Sequence, residues 1–338
     1  MDRKLRVGIV GTGGMGQRHA QAWSRTPAII CGFVSRSPDA SLALAHQFDT
    51  KVYGSLEELL PFVDVIDVCV PTHLHHEVTL AGAQAGVHVI CEKPLARTIA
   101  EAEEMIAVCD SAGVKLLVAH VVRYFPEYAA AQQSVEAGEI GHPAIIRLNR
   151  GTNPPSKPDE NWFLDEEKSG GVILDLMVHD FDYARWIGGE IKTVFAKNVR
   201  TENPSAEFDH ALVILTHENG TISHIEGSWA LPAPMFRTAF EISGSIGLIE
   251  HHSDQTASIK AYTHSRHQTG AAVPMLQNPL HFNPCTAEIQ SFYDHLVYDT
   301  PIPVTAEDGL AALKIALAAV QSAKTGLPVQ ISNLEAIA

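Results

Sequence analysis

Residues 5–16 read LRVGIVGTGGMG, a short apolar run that ends in a cluster of glycines. The run suits a buried strand, and Gly11, Gly13 and Gly16 stand at G-x-G-x-x-G spacing between that strand and a helix-like period over 14–25. Glycines at these places permit a tight turn and a close backbone approach to a pyrophosphate, whose charge then sits at a helix N-terminus. The loop of Gly11, Thr12, Gly13, Gly14, Met15 and Gly16 is therefore a candidate dinucleotide-binding loop. Alone, the spacing is a weak signal set against a structural glycine turn, and its surroundings decide.

Working outward, the apolar runs LRVGIV, IICGFV, VDVIDVCV, VHVIC and KLLVAH alternate with helix-like periods as far as about residue 120. Continuous apolar strands separated by helices predict a parallel sheet covered on both faces. The second strand should end near Val34, where an acidic residue ordinarily holds the adenosine ribose. Ser35 and Arg36 follow instead. A hydroxyl and a guanidinium suit a 2′-phosphate, which favours NADP over NAD; the alternative is that Arg36 stacks on adenine or faces solvent.

Beyond about residue 140 the texture changes to longer, alternating candidates, TVFAKNVR, HALVILTH, TISHIEGSWA and FRTAFEIS, with a Glu-Asn-Gly turn signal at 218–220. These predict a large, mostly antiparallel sheet. One helix is expected over 170–187 and two more near 286–299 and 305–325, after a proline-rich, charged loop at 151–169. At 338 residues the chain exceeds one ordinary core, and the expected division is a dinucleotide-binding domain over 1–123 and a substrate-binding and oligomerisation domain over 124–338.

The net charge of −15 argues against a nucleic-acid partner. No apolar run is long enough to span a bilayer, and MDRKLRVGIVG passes from charge straight into a strand, so a cytoplasmic protein that does not enter membranes is expected. Five cysteines, odd in number and without CxxC spacing, read as free thiols.

Chemistry-bearing residues fall at three places. Residues 170–182, GGVILDLMVHDFD, carry Asp175, His179 and Asp182 at spacings of four and three, one stripe of an α-helix. The stripe can act on one ligand, or it can be a buried, ion-paired histidine; Asp182 is expected to be structural, capping or pairing with Arg185. VCVPTHLHHE and VICEKPLA end strands where ligands bind in open parallel sheets. That places Pro71, Thr72, His73, His76, Glu92 and Lys93 among the cofactor-binding candidates. The trio His73, His75 and His76 lacks well-spaced partners for a metal, and no metal is expected. Lys93, fixed by the following proline, is placed to meet a substrate; otherwise it is a surface lysine paired with Glu92.

GIVGTGGMG, VPTHLHHE, CEKPLA, GGVILDLMVHDFD and the closing EDGLAALKIALAAVQSAKTGLPV, taken in order, resemble the glucose-fructose oxidoreductase, inositol dehydrogenase and MocA family of NAD(P)-dependent oxidoreductases. The likeness spans nearly the whole chain. It implies a Rossmann domain followed by an α/β domain whose open sheet often mediates oligomerisation, here into a dimer or tetramer. It also implies that Lys93, Asp175 and His179 form the catalytic group, and that Thr72, His73 and Glu92 lie near the nicotinamide. Arg123 and Trp162 match, more loosely, positions that commonly face the cleft. Many relatives have Asn where this chain has His73.

The reaction so implied is hydride transfer between a secondary hydroxyl or ketone of a sugar, inositol or related polyol and NAD(P), with His179 moving the proton, Asp175 orienting it and Lys93 donating to the same oxygen. Arg147, Asn149, Thr152 and Asn153 are expected to border the cleft. The alternatives are a glycosidase or epimerase with transient cofactor reduction, and a non-catalytic dinucleotide sensor.

Overall fold

The computed structural model describes residues 4–155, 161–201, 208–255, 259–263, 273–274 and 283–334, and the chain forms two compact units. The first begins with β1 (Arg6–Val10), α1 (Gly14–Trp23), β2 (Ile29–Val34), α2 (Pro38–Gln47), β3 (Lys51–Val52) and α3 (Leu56–Leu59). It continues with β4 (Val65–Val68), α4 (His75–Gln84), β5 (His88–Glu92), α5 (Ile99–Ala112) and β6 (Leu116–Ala119). These six strands are parallel in the order β3-β2-β1-β4-β5-β6, the doubly wound Rossmann order that the strand–helix alternation called for. Local signals set the helix ends. Thr98 and Glu101 form a capping box at the start of α5, and Gly113 closes it with φ +66°.

The second unit holds α6 (Pro126–Glu136), β7 (Pro143–Thr152), α7 (Glu166–Ser169), a π turn over Val172–Leu176 and α8 (Val178–Gly188). The strands β8 (Ile191–Arg200), β9 (Asp209–His217), β10 (Ile222–Ser228), β11 (Phe236–Gly244), β12 (Gly247–His252), β13 (Ile259–Thr263) and β14 (Val273–Pro274) follow. Then come α9 (Pro284–Tyr298), α10 (Ala306–Thr325) and β15 (Val329–Gln330). The described strands form one sheet, β14-β13-β12-β11-β7-β10-β9-β8-β15, antiparallel except where β7 and β10 run together. The Glu-Asn-Gly signal does join β9 to β10: Gly220 takes φ +89°, and Asn219 Oδ1 accepts the Thr221 N–H.

Residues 283–310 group with the first unit and 311–334 with the second. Ile289, Phe292 and Tyr293 of α9 complete the core built by Val7, Ile9, Trp23 and Phe33. In the second unit α8 lies on the sheet face that presents Ile146, Leu148 and Arg150. The opposite face leaves Val199, Leu212, Ile214 and Ile222 exposed among polar neighbours.

Two expectations are corrected here. The helix expected over 170–187 is a π turn followed by α8. Gly170 and Gly171 take φ +81° and +68°, Asp209 Oδ2 accepts the Val172 N–H, and the Val172 carbonyl accepts from Met177, five residues on. Arg147 and Asn149 alternate away from α8, and Arg147 pairs with Glu241 on the far face of the sheet. The cause is the two-residue period of a strand: with Arg150 turned toward α8, positions 147 and 149 must turn away.

Candidate functional site

In the first unit the glycine loop is built as a phosphate cradle. Gly11 N–H donates to the Val34 carbonyl at 2.8 Å, and Gly11 takes φ +104°, where a Cβ would stand 2.4 Å from the Cys69 carbonyl oxygen. A Cβ on Gly16 would lie 1.9 Å from the Gly11 carbonyl oxygen, whereas one on Gly14 meets nothing within 4 Å. Gly11 and Gly16 are thus demanded by packing, while Gly13 and Gly14 are exposed. Gly13 caps α1 without a side chain, which leaves the first-turn N–H groups directed at solvent or a ligand. Thr12 is buried, its Oγ1 3.4 Å from Ser41 Oγ; Met15 is half-buried. These residues fit a dinucleotide pyrophosphate. At the end of β2, Ser35 is half-buried and its Oγ accepts the Ser37 N–H, and Arg36 is exposed.

The three clustered histidines diverge. His75 is buried with Nδ1 2.9 Å from the Pro94 carbonyl and Nε2 3.0 Å from the Val70 carbonyl, so it ties the loop after β4 to the turn after β5. Burial pulls its pKa down against those two carbonyls. His76 pairs with Glu104 of α5 at 2.8 Å, and His73 is half-buried on a 3-10 turn with Thr72, which is buried. Pro71 opens that turn. Lys93 is half-buried in the turn after β5, joined to Pro94 by a cis peptide, and its N–H donates to Glu92 Oε2 at 3.1 Å.

Behind that turn lies a buried polar cluster that the sequence reading missed. His19 of α1 is fully buried with Nδ1 3.0 Å from both carboxylate oxygens of Asp67, and Trp23 Nε1 donates to Asp67 at 2.7 Å. Its Nε2 lies 3.2 Å from Glu92 Oε1, a distance for an ion pair but without the alignment of a hydrogen bond. Burial acts to lower the His19 pKa, but the charge and hydrogen bond of Asp67 outweigh it and hold it well above the usual range. Burial acts to raise Glu92, and His19 with Lys93 brings it below the usual carboxylate range. His19, Asp67 and Cys69 place atoms of metal-ligand type within 4.8 Å of one another, and these atoms hydrogen-bond among themselves.

In the second unit, Asp175 sits buried in the π turn and His179, half-buried, in the first turn of α8. The next residue anchors that turn. Asp180 accepts two hydrogen bonds from Arg150 of β7, at 2.8 and 3.0 Å, in a wholly buried ion pair. Burial still pushes the Asp180 carboxyl above its ordinary value, although Arg150 opposes this. Asp182 is buried, and Arg185 donates two hydrogen bonds to Glu190.

Arg123, in the first unit, is buried and donates to the Pro303 carbonyl and to Asp308. Trp162, in the second, stacks on Phe163 with ring centroids 4.0 Å apart. The structure thus gathers the glycine loop, Ser35–Arg36, Pro71–His73 and Glu92–Lys93 along the carboxyl ends of adjacent parallel strands, and gathers Asp175 with His179 at the π/α junction.

Comparison with known proteins matches residues 5–120 to the oxidoreductase family with an NAD-binding Rossmann fold, and residues 128–250 to the GFO/IDH/MocA C-terminal domain. The chain is 31% identical over 354 aligned positions to an uncharacterized oxidoreductase, YrbE, of Bacillus subtilis, covering 100% of both chains. It is 28% identical to the myo-inositol 2-dehydrogenase of Thermotoga maritima, covering 98% of this chain and 99% of the relative. Among solved structures it is similar to GenD2 from gentamicin A biosynthesis, in complex with NAD, with a TM-score of 0.85, 25% identity and coverage of 98% and 97%. No described helix is long and apolar enough to cross a membrane.

Proposed function

This chain belongs to the GFO/IDH/MocA oxidoreductase family, and from that premise we propose that it interconverts a secondary hydroxyl and a ketone on a sugar, inositol or related polyol. The observation that carries the reading is the pairing of a phosphate cradle at Gly11–Gly16 with a lysine at the carboxyl end of β5, in a chain that also sets a carboxylate and an imidazole one turn apart on its second unit.

A bound nicotinamide would supply the hydride acceptor or donor. The backbone around Gly11 to Gly16 and the N-terminus of α1 hold the pyrophosphate, and Thr72, His73 and Glu92 serve the nicotinamide end. His179 takes the hydroxyl proton, Asp175 orients the ring and stabilises its protonated form, and the Lys93 ammonium donates to the same oxygen as it gains negative charge. Ser35 and Arg36 suit a 2′-phosphate, so NADP is the favoured cofactor. The exposed Val199, Leu212, Ile214 and Ile222 on the outer face of the large sheet support a homo-oligomer, a dimer or tetramer that light scattering would detect.

The test is a panel of inositols, sugars and anhydrosugars assayed at 340 nm with NAD⁺ and with NADP⁺. Net growth of reduced nicotinamide on a polyol is expected. Conversion of substrate without net absorbance change, with tightly held cofactor, would replace this reading by a glycosidase or epimerase, and binding of dinucleotide without any conversion would leave a sensor.

A further inference from the structure

We propose that His19, fixed between Asp67 of β4 and Glu92 of β5, is a positioning residue that sets the Glu92 carboxylate and, through it, the turn that carries Lys93. The inference rests on the catalytic reading of Lys93 given above.

The geometry forms a chain of contacts. Asp67 takes His19 Nδ1 and Trp23 Nε1, which fixes the ring plane from below. The other ring nitrogen faces Glu92 Oε1 at 3.2 Å, and the second oxygen of the same carboxylate accepts the Lys93 N–H at 3.1 Å. One carboxylate therefore joins the imidazole to the backbone from which the Lys93 side chain starts. Both ring nitrogens face carboxylates, a setting that favours the doubly protonated, cationic ring. His19 and Asp67 are wholly buried and Glu92 nearly so, so the ring and its two carboxylates have little solvent to share their charge and their mutual placement is narrowly set. His75 holds the same turn from its other side through the Pro94 carbonyl.

A fourth group completes the cluster. Glu288 of α9 is fully buried, and among the described residues neither carboxylate oxygen has a hydrogen-bond partner. Burial, more than the charges of Glu92 and Asp67 and against that of His19, pushes its carboxyl well above the usual carboxylate range.

The experiment is a double-mutant cycle of His19→Asn with Lys93→Ala, read as kcat and KM on the best substrate of the polyol panel and as the dissociation constant for the dinucleotide. Asparagine retains a donor near the Nδ1 position for Asp67 but reaches nothing at Glu92. The expected result is a fall in kcat of about 10- to 100-fold, the cost of displacing a catalytic group by up to 1 Å, with dinucleotide affinity changed less than about threefold. In the Lys93→Ala background the same substitution should change kcat by less than about twofold, because a residue acting through Lys93 has nothing left to act on. An undiminished fall in that background overturns the proposal while leaving Lys93 catalytic. Wild-type turnover in Lys93→Ala alone overturns the catalytic reading itself. Glu92→Gln, which keeps an acceptor for the Lys93 N–H but removes the anion facing His19, runs the same cycle should His19→Asn fail to fold. Read at saturating dinucleotide, which removes any effect of Glu92 on cofactor affinity, an additive result there overturns the proposal.

Discussion

Replacing Gly16 by alanine places a Cβ 1.9 Å from the Gly11 carbonyl oxygen, more than 1 Å inside the 3.0 Å that Cβ atoms keep from other heavy atoms. The obstacle is backbone, so no side-chain rotation relieves it. Either α1 moves away from the strand end or the loop at Gly11 opens, and Gly11 is itself closed against the Cys69 carbonyl and bonded to Val34. Overpacking of this kind costs about 1–3 kcal/mol. At roughly 2–4 °C per kcal/mol for a unit of this size, Tm should fall by several degrees. Dinucleotide binding should suffer more, because the first-turn N–H groups of α1 shift relative to the loop. Losing one charge-assisted hydrogen bond to a phosphate, about 1.5–3 kcal/mol, weakens affinity by tenfold or more. Gly14→Ala is the control, since its Cβ meets no protein atom within 4 Å and should leave Tm unchanged or slightly higher. The assay is a thermal melt beside a titration of NADH or NADPH fluorescence. A Gly16→Ala protein with wild-type melting and wild-type affinity would refute the cradle.

Three other outcomes follow from the same geometry. Arg150→Met strands the buried Asp180 carboxylate and should lower unfolding free energy in urea by about 3–5 kcal/mol, a loss that Asp180→Leu in the same chain should largely restore. Glu288 has a folded pKa raised above its unfolded value, so its contribution to stability is present in acid and is lost as pH rises above the unfolded value toward the folded one. Glu288→Gln does not titrate, and its Tm should gain on wild type between pH 5 and pH 8; a constant difference would mean that Glu288 ionises normally. Arg36→Ala should weaken NADP by about 1–3 kcal/mol and leave NAD unaffected, measured by calorimetry, and equal affinities of the wild type for both cofactors would assign Arg36 to another role.

The Rossmann sheet was legible because its central strands are apolar on both faces, and Gly11 and Gly16 carry the demands of a close turn in their residue type. The outer face of the large sheet was legible from alternation in HALVILTH, where Ala211, Val213 and Leu215 are buried and Leu212 and Ile214 are exposed. The π turn was not, since GGVILDLMVHDFD is periodic as an α-helix and the cue, two glycines followed by a distant acceptor in Asp209, needs tertiary knowledge. Ile289, Phe292 and Tyr293 announce an apolar face on α9 but not that its partner is α1, over 260 residues earlier. The His19 cluster did leave a signal. Asp67 interrupts an otherwise apolar central strand, and a carboxylate there requires a buried partner, for which His19, on the same helix face as Trp23, was available. Sequence spacing alone does not show which residues of a sheet and its covering helix meet.

The most direct test of the proposed chemistry is turnover at 340 nm by His179→Ala, measured on one preparation together with its melting temperature and dinucleotide affinity. A general acid–base role predicts a fall in kcat of about 10² to 10⁴ with dinucleotide affinity and melting close to wild type, because the half-buried ring contributes to the reaction rather than to the core. A folded His179→Ala protein that turned over its polyol at the wild-type rate would contradict the account.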